Sequence, residues 1–328
     1  METAFPNPPA ITLAGYDALR STAAWLDVSS RGKIIVTGED RARLLHAMTT
    51  NQIQQLQPGE GCYAFFLNAQ GRILADANVF CRQDDFLLDV EPETREPLLQ
   101  HLDKFIIADD VTLDDATSRI ATLDLEGPEA AALTARLGVT VPEKQPEKPW
   151  AHTAWNDAIV ARVSFTGAPG LRFFIPADQK PRVLELLQKA GAREASLDAA
   201  RIVRLEHFKP RFGEDIFTTT LSQETQQMHA VNFNKGCYIG QEIVERVRSR
   251  GLVHRMLAGV EIDSTEVPAP DTRLLQGEEN IGKMTSAAFS PALGKVVGLA
   301  YLRRELAEPG TALTVDGHAA VVRALHTP

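Results

Sequence analysis

The sequence predicts an α+β fold: two matched α+β units followed by a small antiparallel β-barrel. Two observations predict it. A near-repeat fills the first two thirds, where Gly38 and Gly127 each close a strand ahead of a helix, and Phe86 and Phe173 recur at almost the same offset. After Gly251 the texture changes to short β-rich runs punctuated by Gly and Pro. In the first unit a strand is expected over 33–38 and a helix over 40–50. The runs 61–67 and 72–80, parted by Asn68-Ala-Gln-Gly71, read as a hairpin. A strand over 86–90 then leads through Pro92 into a helix ending near Phe105. The second unit repeats the plan, with a strand over 119–127, a helix from Pro128 to Leu137, a strand over 172–175 and a helix over 178–190. Residues 142–149 form a charged, proline-rich loop too polar to pack. A helix over 198–207 returns the chain. Barrel strands are expected over 256–262, 271–275, 281–288, 295–301 and 311–325. The division that follows is 1–117 with 198–250, then 118–197, then 251–328.

Composition narrows the function. At 328 residues with 44% hydrophobic content the chain can bury several cores, and its net charge of −9 argues against a general phosphate-binding surface for nucleic acid. No apolar run approaches the ~20 residues of a membrane span. Residues 1–14 lack a charged segment followed by an apolar one, so no signal peptide is expected. The three cysteines, Cys62, Cys81 and Cys237, are far apart and form no Cys-x-x-Cys or Cys/His cluster. No zinc site is expected, nor a resident iron–sulfur cluster, which takes about four thiolates. A cytoplasmic setting is expected.

The string Lys235-Gly-Cys-Tyr-Ile-Gly-Gln-Glu242 places a cysteine between two glycines, just ahead of a helix expected over 239–249 and closed by Gly251. A thiol there meets the positive end of the helix dipole and the charge of Lys235, both of which favour the reactive thiolate. The alternative is a small buried hydrophobe beside a tight turn.

Four further stretches, in their order, carry a resemblance: 38–51 with its Thr-Thr-Asn ending, 67–76 around the hairpin, Arg204-Leu-Glu206 with Gly213-Glu-Asp215, and 282–286 with Ser290-Pro291. Together they resemble the aminomethyltransferase superfamily, whose best-known member is the glycine cleavage T-protein. The Lys235–Glu242 string resembles its YgfZ-like folate-binding branch. The resemblance implies three subdomains in a ring around a central hole that binds tetrahydrofolate. It puts Cys237 and Asp76 on the reacting side and Glu206, Arg204, Lys235, Tyr238 and Arg246 on the folate-binding side. Glu206 would take the donor pair of the pterin edge in bidentate fashion. Arg246 would meet the glutamate tail of folate or an acidic partner. T-proteins carry two adjacent aspartates where this chain has Ala75-Asp76, and the missing first carboxylate argues against transfer chemistry, where such a group contributes typically ~10²–10⁴ in rate. The expected function is a tetrahydrofolate-binding accessory factor in iron–sulfur cluster assembly or repair. It would work through Cys237 on iron–sulfur client or assembly proteins. The alternative is a folate-dependent aminomethyltransferase of the T-protein type.

Overall fold

A computed structural model describes residues 13–140, 150–251 and 253–326; the readings of 1–12 and of the loop 142–149 lie outside this range. Helix α1 (Tyr16–Ser21) leads into strand β1 (Ala24–Asp27). Then come β2 (Gly32–Thr37), α2 (Arg41–Met48), the hairpin β3 (Gly61–Leu67) and β4 (Ile73–Cys81), β5 (Phe86–Val90), α3 (Arg95–Asp103) and β6 (Thr112–Asp115). These strands from β2 onward form a five-stranded sheet in the order β3-β4-β5-β2-β6. The second unit holds β7 (Ile120–Glu126), α4 (Ala130–Arg136), β8 (His152–Trp155), β9 (Ala158–Ala161), β10 (Gly170–Pro176), α5 (Lys180–Lys189) and β11 (Arg193–Glu194). Its sheet runs β11-β1-β7-β10-β9-β8, so β1, which the sequence division gives to the first unit, sits in the second sheet.

Helices α6 (Leu197–Glu206) and α7 (Gln241–Arg250) flank the linking segment. Ser196 caps α6 by accepting the Ala199 amide at 3.1 Å. The C-terminal strands β12 (Arg255–Ile262), β13 (Arg273–Gln276), β14 (Glu279–Ser290), β15 (Lys295–Arg303), β16 (Ala312–Val315) and β17 (His318–Arg323) close into a barrel ordered β12-β15-β14-β13-β16-β17. The run 311–325, read from sequence as one strand, is a hairpin. Asp316 and Gly317 both take positive φ (49° and 83°), the turn that matches the twist of paired strands.

The period-two alternation of the strands decides where the site lies. In β4 the side chains of Ala75, Ala77, Val79 and Cys81 join the apolar core under the first sheet, as do Phe86, Leu88 and Val90 of β5. In the second sheet Ala121, Leu123 and Leu125 of β7 and Leu171, Phe173 and Ile175 of β10 build the matching core. The opposite faces of both sheets are turned toward each other. Phe80, Leu87, Ala161 and Phe174 meet there in a small apolar cluster, beside buried polar residues that include Asp89, Asp124 and Arg172. Arg172 grips Asp124 through Nε and Nη2 at 2.7 and 2.6 Å and also pairs with Asp89 of the first sheet. Arg31 donates to the other oxygen of Asp89 at 2.7 Å and pairs with Glu91. Asn78 donates to Asp89 at 2.9 Å.

Removing one partner of a buried ion network leaves uncompensated charge, at a cost of about 3–5 kcal/mol. Arg172→Met should lose that much in urea unfolding, and adding Asp124→Leu, which removes the carboxylate left without its partner, should recover much of it. Equal stability of wild type and Arg172→Met would refute the clamp.

Candidate functional site

A cavity of about 310 Å³ opens beside this seam. Asp76 and Asn78 of β4 line one wall, Gly170 and Arg172 of β10 another, with Tyr63 from β3 and Arg204 from α6. The segment Lys209-Pro210-Arg211 and the residues Gln227 and His229 complete it. One side is aromatic. The Tyr63, His229 and Trp150 rings stand 5.4–6.1 Å apart with interplanar angles of 13–31°. Trp150 donates its Nε1–H to Asn78 at 2.8 Å, which fixes the indole.

Asp76 accepts the Tyr63 hydroxyl at 2.6 Å. Burial, then the nearby Glu91 charge, pushes its carboxyl up to about 6. Glu91 behaves oppositely. Burial works against its charge, yet Arg31 and Arg211 beside it hold it below the usual carboxylate range. Arg211 reaches Glu91 at 2.7 Å and Glu93 at 3.1 Å. Burial pushes the Lys209 amine down to about 8, against the pull of Glu126. Glu126 is itself raised to about 7 by burial and by Asp124. His229 is pushed down to about 4 by burial and then by the Lys209 charge. Three buried polar atoms of cavity residues make no hydrogen bond: Gln227 Nε2, His229 Nδ1 and Arg204 Nε.

The residues singled out in the sequence divide sharply. Asp76 and Arg204 line the cavity. Arg204 is locked by Asp215 and the Lys209 carbonyl at 2.7 and 2.6 Å and by Glu214. Glu206 does not line the cavity. Its carboxylate takes Ser290 of the barrel at 2.5 Å together with Tyr16 and Arg20, so it ties α1 and α6 to the barrel. Lys235 is buried, donating to the Thr49 carbonyl at 2.5 Å and to that of His46. Tyr238 packs with Phe65 and Leu67, under the Lys235 amine at 4.9 Å from its ring. Arg246 is exposed and paired with Glu242 at 2.5 Å. Cys237 is exposed and outside the cavity lining. The second glycine of the motif has a packing reason: a Cβ on Gly240 would meet the Asn68 carbonyl at 2.7 Å, so α7 docks on the β3–β4 turn.

The alternation of β4 also corrects the reading of Ala75. That residue faces the apolar core, while Asp76 faces the cavity, so the missing first carboxylate removes nothing from the cavity wall.

Residues 7–235 match the GCVT N-terminal domain family, and residues 255–327 match the glycine cleavage T-protein C-terminal barrel domain. The chain belongs to the glycine cleavage T-protein family. Similar proteins include the aminomethyltransferase of Rubrobacter xylanophilus, 31% identical over 89% of this chain and 79% of the relative. The aminomethyltransferase of Chlorobium chlorochromatii is 29% identical over 95% of this chain and 89% of the relative. The crystal structure of the glycine cleavage system aminomethyltransferase T from Bartonella henselae superposes with a TM-score of 0.84, 22% identity, and coverage of 94% and 87%; it supports the fold. Within this family the expected role in iron–sulfur cluster assembly is overturned, because the relatives that span nearly the whole chain are aminomethyltransferases. The iron–sulfur clients fall with it. Tetrahydrofolate stands, as the compound aminomethyltransferases use. Among the described residues no helix is long and apolar enough to cross a membrane.

Tyr63, Trp150, Gln227, His229, Lys209 and Arg172 were not singled out from the sequence. Polar residues at alternate positions of apolar strands (Asp76 and Asn78, Thr122, Asp124 and Glu126) were the available signal for the seam.

The Asp76 carboxyl is raised from its ordinary 3.8 to about 6. Its stabilising contribution is therefore fully present below about pH 3.8 and lost as pH rises through about 6. Asp76→Asn should flatten that part of the stability profile, gaining on wild type as pH rises from about 3.8 to about 6 in urea midpoints. Parallel profiles would show an unperturbed carboxyl.

Proposed function

We propose that this chain is a folate-dependent aminomethyltransferase, moving the one-carbon unit of an aminomethyl-lipoyl carrier to tetrahydrofolate held in the cavity, so that methylene-tetrahydrofolate forms while ammonia and the dihydrolipoyl thiol leave. We place it, by the Lys235–Glu242 string, in the YgfZ-like branch of its family. The observation that carries the activity is Asp76, a buried cavity carboxylate bonded to a tyrosine hydroxyl rather than to a cation. Tetrahydrofolate supplies the nucleophilic nitrogens, one in its ring and one on the arylamine beside it, that accept the carbon unit.

The residues present fit it. A volume of about 310 Å³ lies at the small end of ligand cavities, and a flat bicyclic ring suits the wall made by Tyr63, His229 and Trp150. Lys209 and Arg211 bring positive charge to the same cavity, which favours an anionic ligand.

Within this site Asp76 is mostly ionised at neutral pH, since its carboxyl titrates near 6. It stabilises positive charge that develops beside it and can hold a proton in transit. The Tyr63 hydroxyl orients the carboxylate by donating to Oδ2. Glu91 stays charged through Arg31 and Arg211, and its field keeps Asp76 more basic than an ordinary carboxylate.

Asp76→Asn should lower aminomethyl transfer to tetrahydrofolate by about 10²–10⁴ while leaving ligand affinity within a few fold. The rate should rise with pH along a limb centred near 6, where Asp76 ionises. Cys237→Ser should turn over like wild type, since the thiol is outside the cavity lining. Purified protein that binds tetrahydrofolate yet never forms methylene-tetrahydrofolate from the aminomethyl-lipoyl carrier would end this reading.

A further inference from the structure

Much of one cavity wall is a single loop. Between β9 and β10 the chain supplies Ser164, Phe165, Gly167, Ala168 and Pro169 to the lining, with Gly170 where β10 begins. A wall made of loop keeps its shape only if its main-chain groups are tied to something rigid. This one is tied from behind, by a carboxylate that does not line the cavity. Glu126 is the last residue of β7 and fully buried. Its strand lies between β1 and β10, where it faces Ala24 on one side and Gly170 on the other.

The Glu126 Oε2 accepts the Thr166 amide at 3.0 Å and also the Thr166 hydroxyl, while Oε1 accepts the Phe165 amide. The loop then folds on itself. The Gly167 amide donates to Ser164 Oγ at 2.7 Å, and the Ala168 amide to Thr166 Oγ1 at 3.2 Å. Lys209 holds the opposite polarity of the loop by donating to the Ser164 carbonyl, and the Gly127 amide donates to the Pro169 carbonyl at 2.9 Å. The strand partner of Glu126 leaves room for this arrangement: a Cβ on Gly170 would meet Ser164 Cβ at 3.0 Å and Glu126 Cγ at 3.1 Å.

Stability alone does not favour a carboxylate at this place. Burial and then the Asp124 charge push it up to about 7, so its charged form is held against the preference of the fold. A neutral amide of the same shape would be easier to bury. What that amide lacks is acceptance on both arms, because one of its ends is a donor and would face a donor of the loop.

We propose that Glu126 is a positioning residue for the cavity: its two carboxylate oxygens set residues 164–168 as a fixed wall, and ligand affinity depends on that setting. This rests on the tetrahydrofolate reading of the cavity and deepens it. Glu126 stays out of the lining, and Asp76 stands on the other sheet, so the brace acts on binding and not on the chemical step.

The test compares wild type with Glu126→Gln at about pH 8, above the titrations of Glu126 and Asp76. It reads amide exchange by mass spectrometry, calorimetric affinity for tetrahydrofolate, and kcat for transfer from the aminomethyl-lipoyl carrier at saturating tetrahydrofolate. In the variant the amides of 163–170 should exchange about tenfold faster or more, while those of the β3–β4 hairpin keep their rates. Affinity should fall about ten- to a hundredfold, the range for a hydrogen bond to a charged group, with kcat kept within a few fold. The melting temperature should hold, since the neutral amide is the easier group to bury. A variant with wild-type exchange over 163–170, or one that exchanges faster yet binds as tightly, overturns the inference and leaves the proposed activity standing. So does a variant that loses kcat in place of affinity, or one whose melting temperature collapses and shows Glu126 to be a residue of the core. Wild type that binds no tetrahydrofolate overturns the inference and the reading beneath it together.

Discussion

The guanidinium of Arg172 holds two sheets at the distance their polar faces require. Each sheet buries one apolar face on its own helices and would pack its other face dry if the residues there were apolar. Instead Asp89, Asp124 and Arg172, all almost wholly buried, meet at the centre. Charges taken out of water must find each other with good geometry, and the bidentate grip of Arg172 on Asp124 provides it. The sheets therefore cannot collapse onto one another around Asp76. A cavity persists where the apolar contacts of Phe80 and Phe174 give way to polar ones.

The same network sorts the carboxylates by task. Asp89 and Glu91 have arginine partners and stay anionic at low pH. Asp76 has a hydroxyl partner and a like charge near it, so it holds its proton far longer. Pushing neighbouring titratable groups apart in this way is how a single pocket keeps fixed charges and one exchangeable proton. Burial instead shifts Lys209 of the wall and Glu126 outside it toward each other from opposite ends of the scale.

Local signals made much of the fold legible. Gly38 and Gly127 do close β2 and β7, the Asn68–Gly71 turn does join β3 to β4, and the barrel does follow Gly251. What sequence could not show was pairing across long separations. Glu206 belongs to a recognisable pattern, yet its partner Ser290 lies 84 residues on, in another unit. The Lys235–Glu242 string stood out as chemistry, whereas its Gly240 answers to the close approach of a carbonyl. Gln227 and His229 carried no pattern, since a loop supplies them and only the contact of that loop with β3 gives them meaning. Asp76 was legible because strand alternation and a family likeness agreed on it, and even then the face of Ala75 was not.

The placement of β1 bears on how the molecule is assembled. The strands β2 to β6 are contiguous in the chain, so the first sheet has all its parts once residue 115 has been made. The second sheet is different: Ala24–Asp27 lies between Arg193–Glu194 and Ile120–Glu126, and it is synthesised well before either. An early ribbon with unpaired edges must wait, exposed, for partners about a hundred residues downstream, which slows closure and invites wrong pairings. Trimming the front of the chain would leave the first sheet whole and strip from the second the strand that joins β11 to β7.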